Sequence, residues 1–150
     1  MKDSEILNIV EEVFDIEIDA LLHVKKNIGD SFVTLVKKTL EITENGGKIV
    51  VCGIGKSGHI GKKIAATLAS TGSPSVFLHP VEAMHGDLGV VQKGDILLSL
   101  SYSGESDELL QMIPAVKRFD IPVACLTGSD SSRLAKFSDI IVKISVPREA

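Results

Sequence analysis

Two glycine- and serine-rich segments contain the side chains of this chain that are best suited to bind a small anion and act on it. The first, residues 53–61, reads Gly-Ile-Gly-Lys-Ser-Gly-His-Ile-Gly and offers Lys56 and Ser57. The second, residues 101–106, reads Ser-Tyr-Ser-Gly-Glu-Ser. Each segment follows an apolar run and precedes a helical pattern, so each is predicted to link a strand to a helix. Two such loops at the same end of a parallel sheet can face one anion.

The second segment predicts a phosphate site. The first N–H groups of a helix have no partner within the helix, and the helix dipole favours an anion beside them. Hydroxyl groups can add donors around a tetrahedral phosphate, and the segment provides Ser101, Ser103 and Ser106, with Ser57 expected nearby. A loop rich in hydroxyls and poor in cations suits a sugar phosphate better than a nucleotide. The simpler alternative is that Ser106 or Asp107 only caps the following helix.

The first segment also matches the dinucleotide-binding pattern G-x-G-x-x-G over residues 53–58. That interpretation requires an acidic residue at the end of the second strand to hold the ribose, but this strand ends in Leu78-His79-Pro80. We therefore expect no NAD or NADP. The P-loop pattern needs a glycine where Val50 stands. A tight strand-to-helix turn remains as a structural explanation of the glycines, but it does not account for Lys56 at the mouth of the site.

Apolar runs alternate with helical patterns after residue 45, which predicts a single α/β domain over residues 1–150. N-terminal helices occupy 1–45. The core, 46–150, is predicted to hold a five-stranded parallel sheet flanked by helices on both faces, in a doubly wound arrangement, without a final helical segment. The predicted strands are 48–52, 75–78, 95–100, 123–126 and 140–144. The predicted helices are 4–27, 32–44, 58–70, 82–86, 107–119 and 131–137.

Composition excludes several classes of function. The chain carries a net charge of −4, and its lysines and arginines occur at most in adjacent pairs, so nucleic-acid binding has little support. Apolar runs are too short for a membrane span, and the acidic N-terminus does not look like a signal peptide. Cys52 and Cys125 end predicted strands, which favours buried thiols in a reducing cytoplasm over a disulfide.

The motifs together resemble a known family. The S-x-S-G-x-S loop of 101–106 on the third strand of such a domain is similar to that of the sugar isomerase (SIS) domain. The Gly-Lys-Ser-Gly-His-Ile-Gly stretch of 55–61 and the Glu-Ala-Met-His-Gly-Asp-Leu-Gly stretch of 82–89 resemble the bacterial D-arabinose 5-phosphate isomerases. The resemblance extends over about 45–150. It implies interconversion of D-ribulose 5-phosphate and D-arabinose 5-phosphate for the synthesis of Kdo, a lipopolysaccharide sugar.

The resemblance also implies roles for individual residues. The catalytic candidates are Lys56, His85, Glu108 and Glu149. The candidates for binding the substrate and its phosphate are Gly55, Ser57, Ser101, Ser103 and Ser106. Because the start of a helix would keep Glu108 ionised and weakly basic, we expect Glu149 to be the base that forms an enediolate. His85 would move protons between hydroxyls or open the furanose ring, and Lys56 would stabilise the enediolate or hold the phosphate.

Each of these residues also has a structural explanation. Glu108 could serve only as a helix cap, Glu149 as an exposed terminal charge, and His85 as an ordinary surface or core histidine. His59, His79 and His85 do not have the spacing of a standard zinc site, and the chemistry needs neither a metal nor another cofactor, so we expect none.

Family members continue into a further helical stretch with another active-site histidine and, in most cases, a pair of CBS modules. We therefore expect this chain alone to bind sugar phosphate and to isomerise it slowly. The resemblance and the amphipathic first helix predict a homodimer or homotetramer with active sites between subunits. The alternative function is a non-catalytic SIS domain that senses a sugar phosphate or an activated Kdo nucleotide. The first helices lack a basic recognition face, which argues against a DNA-binding regulator.

Overall fold

The computed structural model describes residues 2–149, so Met1 and Ala150, the two ends of the predicted domain, lie outside the described residues. Two helices precede the sheet, α1 over Asp3–Asn27 and α2 over Asp30–Glu44. Strands and helices then alternate: β1 Ile49–Gly53, α3 Gly55–Ser70, β2 Ser75–Leu78, α4 Pro80–Met84, a 3₁₀ turn Asp87–Val90, β3 Ile96–Leu100, α5 Asp107–Lys117, β4 Val123–Thr127, α6 Arg133–Phe137 and β5 Ile140–Lys143.

The five strands form one parallel sheet in the order β2-β1-β3-β4-β5. Strands β1 and β3 are buried along their whole length, as expected for continuous apolar runs in a sheet covered on both faces. The predicted α/β class and five-stranded parallel sheet are confirmed.

Helices cover the two faces of the sheet in two layers, and each layer has its own core. On one face α2 and α3 pack against side chains that include Val51 and Leu98. On the other, α4, α5 and α6 pack against side chains that include Val50 and Leu97. Successive residues of a strand point to opposite faces, so each buried strand contributes to both cores.

Helix α1 differs from the other long helices. Within Asp3–Asn27, all of which the structure describes, no side chain is buried. Nine of its large apolar side chains are 39–70% exposed: Ile6, Leu7, Ile9, Val10, Val13, Phe14, Ile18, Leu21 and Leu22. Across the described residues, none of the helices combines the length and the apolar character that crossing a membrane requires.

Helices α3, α4 and α6 begin at other residues than the sequence predicts. Helix α3 begins at Gly55 instead of residue 58, and Gly55 has a positive φ of 57°, which glycine adopts readily at this turn. The predicted glycine loop is therefore largely the first turn of a helix. Helix α4 begins at Pro80 instead of residue 82, since proline suits the first helical position and the His79 side chain accepts a hydrogen bond from Val81 N at 3.3 Å. Helix α6 begins at Arg133 instead of residue 131, after Ser132 as its N-cap.

Other element ends shift by one or two residues. Helix α2 begins at Asp30 instead of residue 32, after Gly29 as its N-cap. Helix α5 ends at Lys117 instead of residue 119, before a turn in which Asp120 has a positive φ of 55°. Strand β5 ends at Lys143 instead of residue 144, although Ile144 N still donates to Thr127 O at 2.8 Å.

Candidate active site

The two glycine- and serine-rich segments meet where the strand order reverses. Strands β1 and β3 are neighbours, and Gly53 at the end of β1 pairs with Leu100 at the end of β3. The chain leaves β1 toward one face of the sheet and β3 toward the other. In parallel sheets the crevice at such a switch point, outside the carboxyl ends of the strands, is where ligands bind.

The turn after β1 brings α3 unusually close to the strand. A Cβ atom on Gly58 would lie 2.8 Å from Gly53 O, so only glycine fits there without a backbone shift. Gly58 therefore has a packing role, which the sequence left open. The turn places Lys56 and Ser57 in the first turn of α3, with Lys56 exposed and Ser57 half-buried. The first hydrogen bond to close this helix runs from Gly58 N to Ile54 O at 3.2 Å, so the preceding amides point toward the crevice end of the sheet.

The serine loop after β3 is held by its own hydroxyls. Ser101 is buried, and its Oγ accepts a hydrogen bond from Gly104 N at 3.1 Å and lies 3.2 Å from Ser106 Oγ. Ser103 Oγ accepts from Glu105 N at 3.2 Å. Ser106 occupies the N-cap position of α5, but within the described chain its side chain makes no capping hydrogen bond. The capping explanation of Ser106 is thus not what the geometry shows.

These two loops border a crevice of about 230 Å³. Its polar rim is formed by Lys56, Ser57, Ser101 and Tyr102. Its floor is aliphatic and is formed by Ile60, Ile64, Leu100, Leu126 and Ile144. An aliphatic floor with a few polar groups at one end is typical of a small-molecule site.

His85 and Glu108 lie together in a second cleft, on the other face of the sheet. This cleft, of about 170 Å³, runs between α4 and α5 and is also lined by Gln111. His85 follows the last residue of α4, and Glu108 is the second residue of α5, where the helix dipole favours the carboxylate. In one cleft, an imidazole and a carboxylate can exchange protons with hydroxyl groups, and a carboxamide can orient those hydroxyls by hydrogen bonds.

Glu149 is exposed in the tail that follows β5. Tyr102 Oη accepts a hydrogen bond from Val146 N at 3.2 Å and holds the start of this tail against the serine loop. Further along, Arg148 pairs with Glu12 of α1 at 3.3 Å. Among residues 2–149, Glu149 does not line either cleft. One chain therefore divides the predicted catalytic residues among the crevice, the α4–α5 cleft and the tail.

Apart from His85, the described histidines and cysteines provide neither a metal site nor a reactive thiol at these clefts. Within the part of the chain that the structure describes, no cluster of three or more side chains could ligate a metal ion. Both cysteines are free and buried. Burial raises the pKa of the Cys52 thiol to about 12, although a hydrogen bond to Ser99 lowers it in part. Burial likewise raises the pKa of Cys125.

Sequence reasoning missed three side chains at these sites. Tyr102, the single tyrosine of the chain, lies between Ser101 and Ser103, two residues predicted to bind phosphate, and lines the crevice. Gln111 is three residues after Glu108, a helical spacing that already placed both on one face. Arg133 contacts Glu105 from 28 residues away, so the sequence held no local signal for it.

Comparisons with known proteins agree with this architecture. Residues 41–150 match the SIS domain family, which confirms the resemblance seen in the sequence motifs. The arabinose 5-phosphate isomerase KdsD of Salmonella typhi is 45% identical over 140 residues, 93% of this chain and 42% of that protein. KdsD of Francisella tularensis is 41% identical over 144 residues, 96% of this chain and 44% of that protein. The chain thus spans less than half the length of these curated relatives.

A solved structure extends the comparison to three dimensions. The structure of c3406 of Escherichia coli CFT073 in complex with arabinose 5-phosphate is similar with a TM-score of 0.93 and 38% sequence identity. The similarity covers 99% of this chain and 78% of that one.

Proposed function

Because the chain belongs to the SIS domain family, we propose that it is an aldose–ketose isomerase that interconverts D-ribulose 5-phosphate and D-arabinose 5-phosphate. The observation that carries the proposal is the crevice at the β1–β3 switch point, where Lys56 and Ser57 face the serine loop. The KdsD relatives are named for this activity, and the similar E. coli structure was solved in complex with arabinose 5-phosphate.

The phosphate of the substrate binds at the serine loop in this proposal. Hydroxyls of Ser101, Ser103 and Ser106 and the free amides at the start of α5 surround it. Ser57 and the backbone at Gly55, in the first turn of α3, contribute from the opposite side of the crevice. The hydroxyl-rich composition of this loop supports a sugar phosphate as the ligand.

Isomerisation requires a base that removes the proton from C2 of the aldose and returns it to C1 of the ketose through an enediolate. We assign this role to Glu149 and keep Glu108 as the alternative. Lys56 stabilises the negative charge that develops on the enediolate oxygens. His85 transfers protons between the two oxygens, and its cleft with Glu108 supports a role in proton exchange.

A second copy of the chain completes the site in this proposal. In one chain Glu149 follows Arg148, which pairs with Glu12 of α1, and it does not line the crevice of Lys56. Helix α1 exposes large apolar side chains such as Phe14 and Leu21, 60% and 70% exposed, and burying them against another copy would be favourable. We therefore propose a homodimer or homotetramer with active sites between subunits, working in the cytoplasm on the precursor of the lipopolysaccharide sugar Kdo.

The test is a coupled assay of D-arabinose 5-phosphate formation from D-ribulose 5-phosphate. We expect slow but enzyme-dependent formation by this chain, lost in Lys56→Met, with D-arabinose 5-phosphate binding measurable by calorimetry. The absence of both turnover and binding would overturn the proposal.

Binding without turnover would favour a second function, a sensor of a sugar phosphate or an activated Kdo nucleotide. The observation that favours this alternative is the position of Glu149, which leaves the crevice of one chain without its proposed base. Calorimetry with both types of ligand would identify which one is sensed.

A further inference from the structure

The serine loop is fixed from behind by the beginning of α6. Leu134 N donates to Gly104 O at 3.0 Å, and Arg133 N donates to the carboxylate of Glu105 at 2.9 Å. The Arg133 side chain donates to the same carboxylate through Nε and to Glu105 O through an Nη at 3.2 Å. The same Nη donates to Asp107 at 2.9 Å. One arginine thus contacts both the loop and the first residue of α5.

The loop and α6 also fit together sterically. Gly104 has a positive φ of 67°, and a Cβ atom there would lie 2.2 Å from Ser132 Oγ. Ser132 is itself fixed, because its Oγ accepts a hydrogen bond from Ala135 N at 3.2 Å and donates to Ser129 O at 2.9 Å. A displacement of α6 would therefore displace the backbone amides between Ser103 and Ser106.

The contact with Arg133 also changes the charge beside the serine loop. Residues 105–108 carry three carboxylates, Glu105, Asp107 and Glu108, at the loop proposed to receive a dianionic phosphate. Hydrogen bonds from Arg133 lower the pKa of Glu105, so its carboxylate is ionised at neutral pH. Without Arg133, Glu105 and Asp107 would repel an incoming phosphate.

We propose that Arg133 is a positioning residue for the phosphate of the substrate, because it holds the serine loop in place and neutralises Glu105 and Asp107. The inference rests on the proposed function in that it assumes a phosphate ligand at this loop. Arg133 does not touch the reacting carbons in this proposal. It supports binding, and the proton-transfer step does not depend on it.

The experiment compares Arg133→Gln with wild type and with Lys143→Gln, a matched control that removes the exposed ion pair between Lys143 and Asp130. We expect Arg133→Gln to raise the KM for sugar phosphate about threefold to tenfold, with kcat within about twofold, because the loss of two half-exposed ion pairs leaves Glu105 and Asp107 unneutralised beside the phosphate. The dissociation constants of D-arabinose 5-phosphate and inorganic phosphate, measured by calorimetry, should rise in parallel. Lys143→Gln should match wild type.

A double variant distinguishes this role from a purely structural one. Adding Glu105→Gln to Arg133→Gln removes one unpaired carboxylate, so phosphate affinity should partly recover. A structural role alone predicts no recovery. Unchanged phosphate affinity in Arg133→Gln would overturn the inference. If that variant fails to fold, Arg133→Lys takes its place, with an expected intermediate affinity, and wild-type affinity in it would equally contradict the inference. Calorimetry needs no turnover, so an inactive wild type that binds phosphate refutes only the isomerase proposal.

Discussion

At the scale of single residues, side-chain environment assigns different roles to chemically similar groups. Glu105 is paired with Arg133, Glu108 faces a cleft beside His85, and Glu149 lies in the tail after β5. These are three different environments for one kind of carboxylate. Only a carboxylate without a strong partner, close to the substrate carbons, can serve as the base.

The base assignment predicts that Glu149→Gln lowers kcat about a hundredfold or more while KM changes little, because a positioned base acts on the chemical step. Steady-state kinetics in the coupled assay measure both constants. Glu108→Gln is the comparison variant, since it removes the alternative base. Full activity in Glu149→Gln together with a lost kcat in Glu108→Gln would transfer the role to Glu108.

Cys52 gives a prediction on alkaline stability. Its pKa rises from 9.0 in the unfolded chain to about 12 in the fold. Below pH 9 the thiol is neutral in both states. Above it the unfolded chain releases the proton while the fold retains it, so the free energy of unfolding should fall by about 1.4 kcal/mol per pH unit. Urea unfolding of wild type and Cys52→Ala between pH 8 and about 11 measures the contribution of Cys52 to this pH dependence, because the variant has no thiol at residue 52.

The control for the cysteine is Val50→Ala, which truncates a buried side chain two residues earlier in β1 without removing an ionisable group. Its stability difference from wild type should not change with pH. An equal pH dependence of the Cys52→Ala and Val50→Ala differences would show that Cys52 does not contribute.

At the scale of elements, the close contact between α3 and β1 positions the first turn of α3 at the crevice. Gly58 permits this contact, since its α-carbon faces Gly53 O. The apolar pairs between β1 and β3 fix the two strand ends next to each other. The site thus depends on a helix that starts immediately after its strand and lies directly against it.

Gly58→Ala should destabilise the protein by about 1–3 kcal/mol, because the added methyl group meets backbone 2.8 Å away. Helix propensity alone would favour alanine by about 1 kcal/mol, so a net loss reports the contact. Urea unfolding provides the measurement. Gly89→Ala, where a Cβ meets nothing within 4 Å, should be neutral. Equal stabilities of the two variants would contradict the prediction.

At the scale of the whole molecule, the exposed face of α1 is the largest feature that one chain leaves unexplained. Helix α1 lies beside the tail that carries Glu149, through the pair of Arg148 and Glu12. Association through α1 would therefore affect the tail that carries Glu149 as well as stability.

Phe14→Glu should dissociate the proposed homodimer or homotetramer into single chains and remove most of the turnover. Phosphate binding at the crevice of each chain should remain. Analytical ultracentrifugation measures the mass and the coupled assay measures the activity. Glu17→Gln, a polar substitution on the same helix, serves as the control and should behave as wild type. A monomeric, active wild type would contradict this prediction.

Local patterns in the sequence determined much of this protein. Mainly apolar runs of four to six residues identified all five strands, because strands covered on both faces, as β1 and β3 are, consist mostly of apolar residues. The hydroxyls of Ser101 and Ser106 and the position of Lys56 were visible as motifs, since each lies within a few residues of a strand end. The same motifs pointed to the family that the comparisons then confirmed.

Only the tertiary structure decided which of these strands, loops and side chains lie next to each other. Periodicity does not encode strand order, so the adjacency of β1 and β3, and hence of the two loops, came from packing. The contact of Arg133 with Glu105 spans 28 residues and depends on where α6 docks. The separation of Glu149 from Lys56 likewise follows from the path of the tail toward α1. Long-range contacts depend on the summed burial of whole elements, and a short motif does not contain that information.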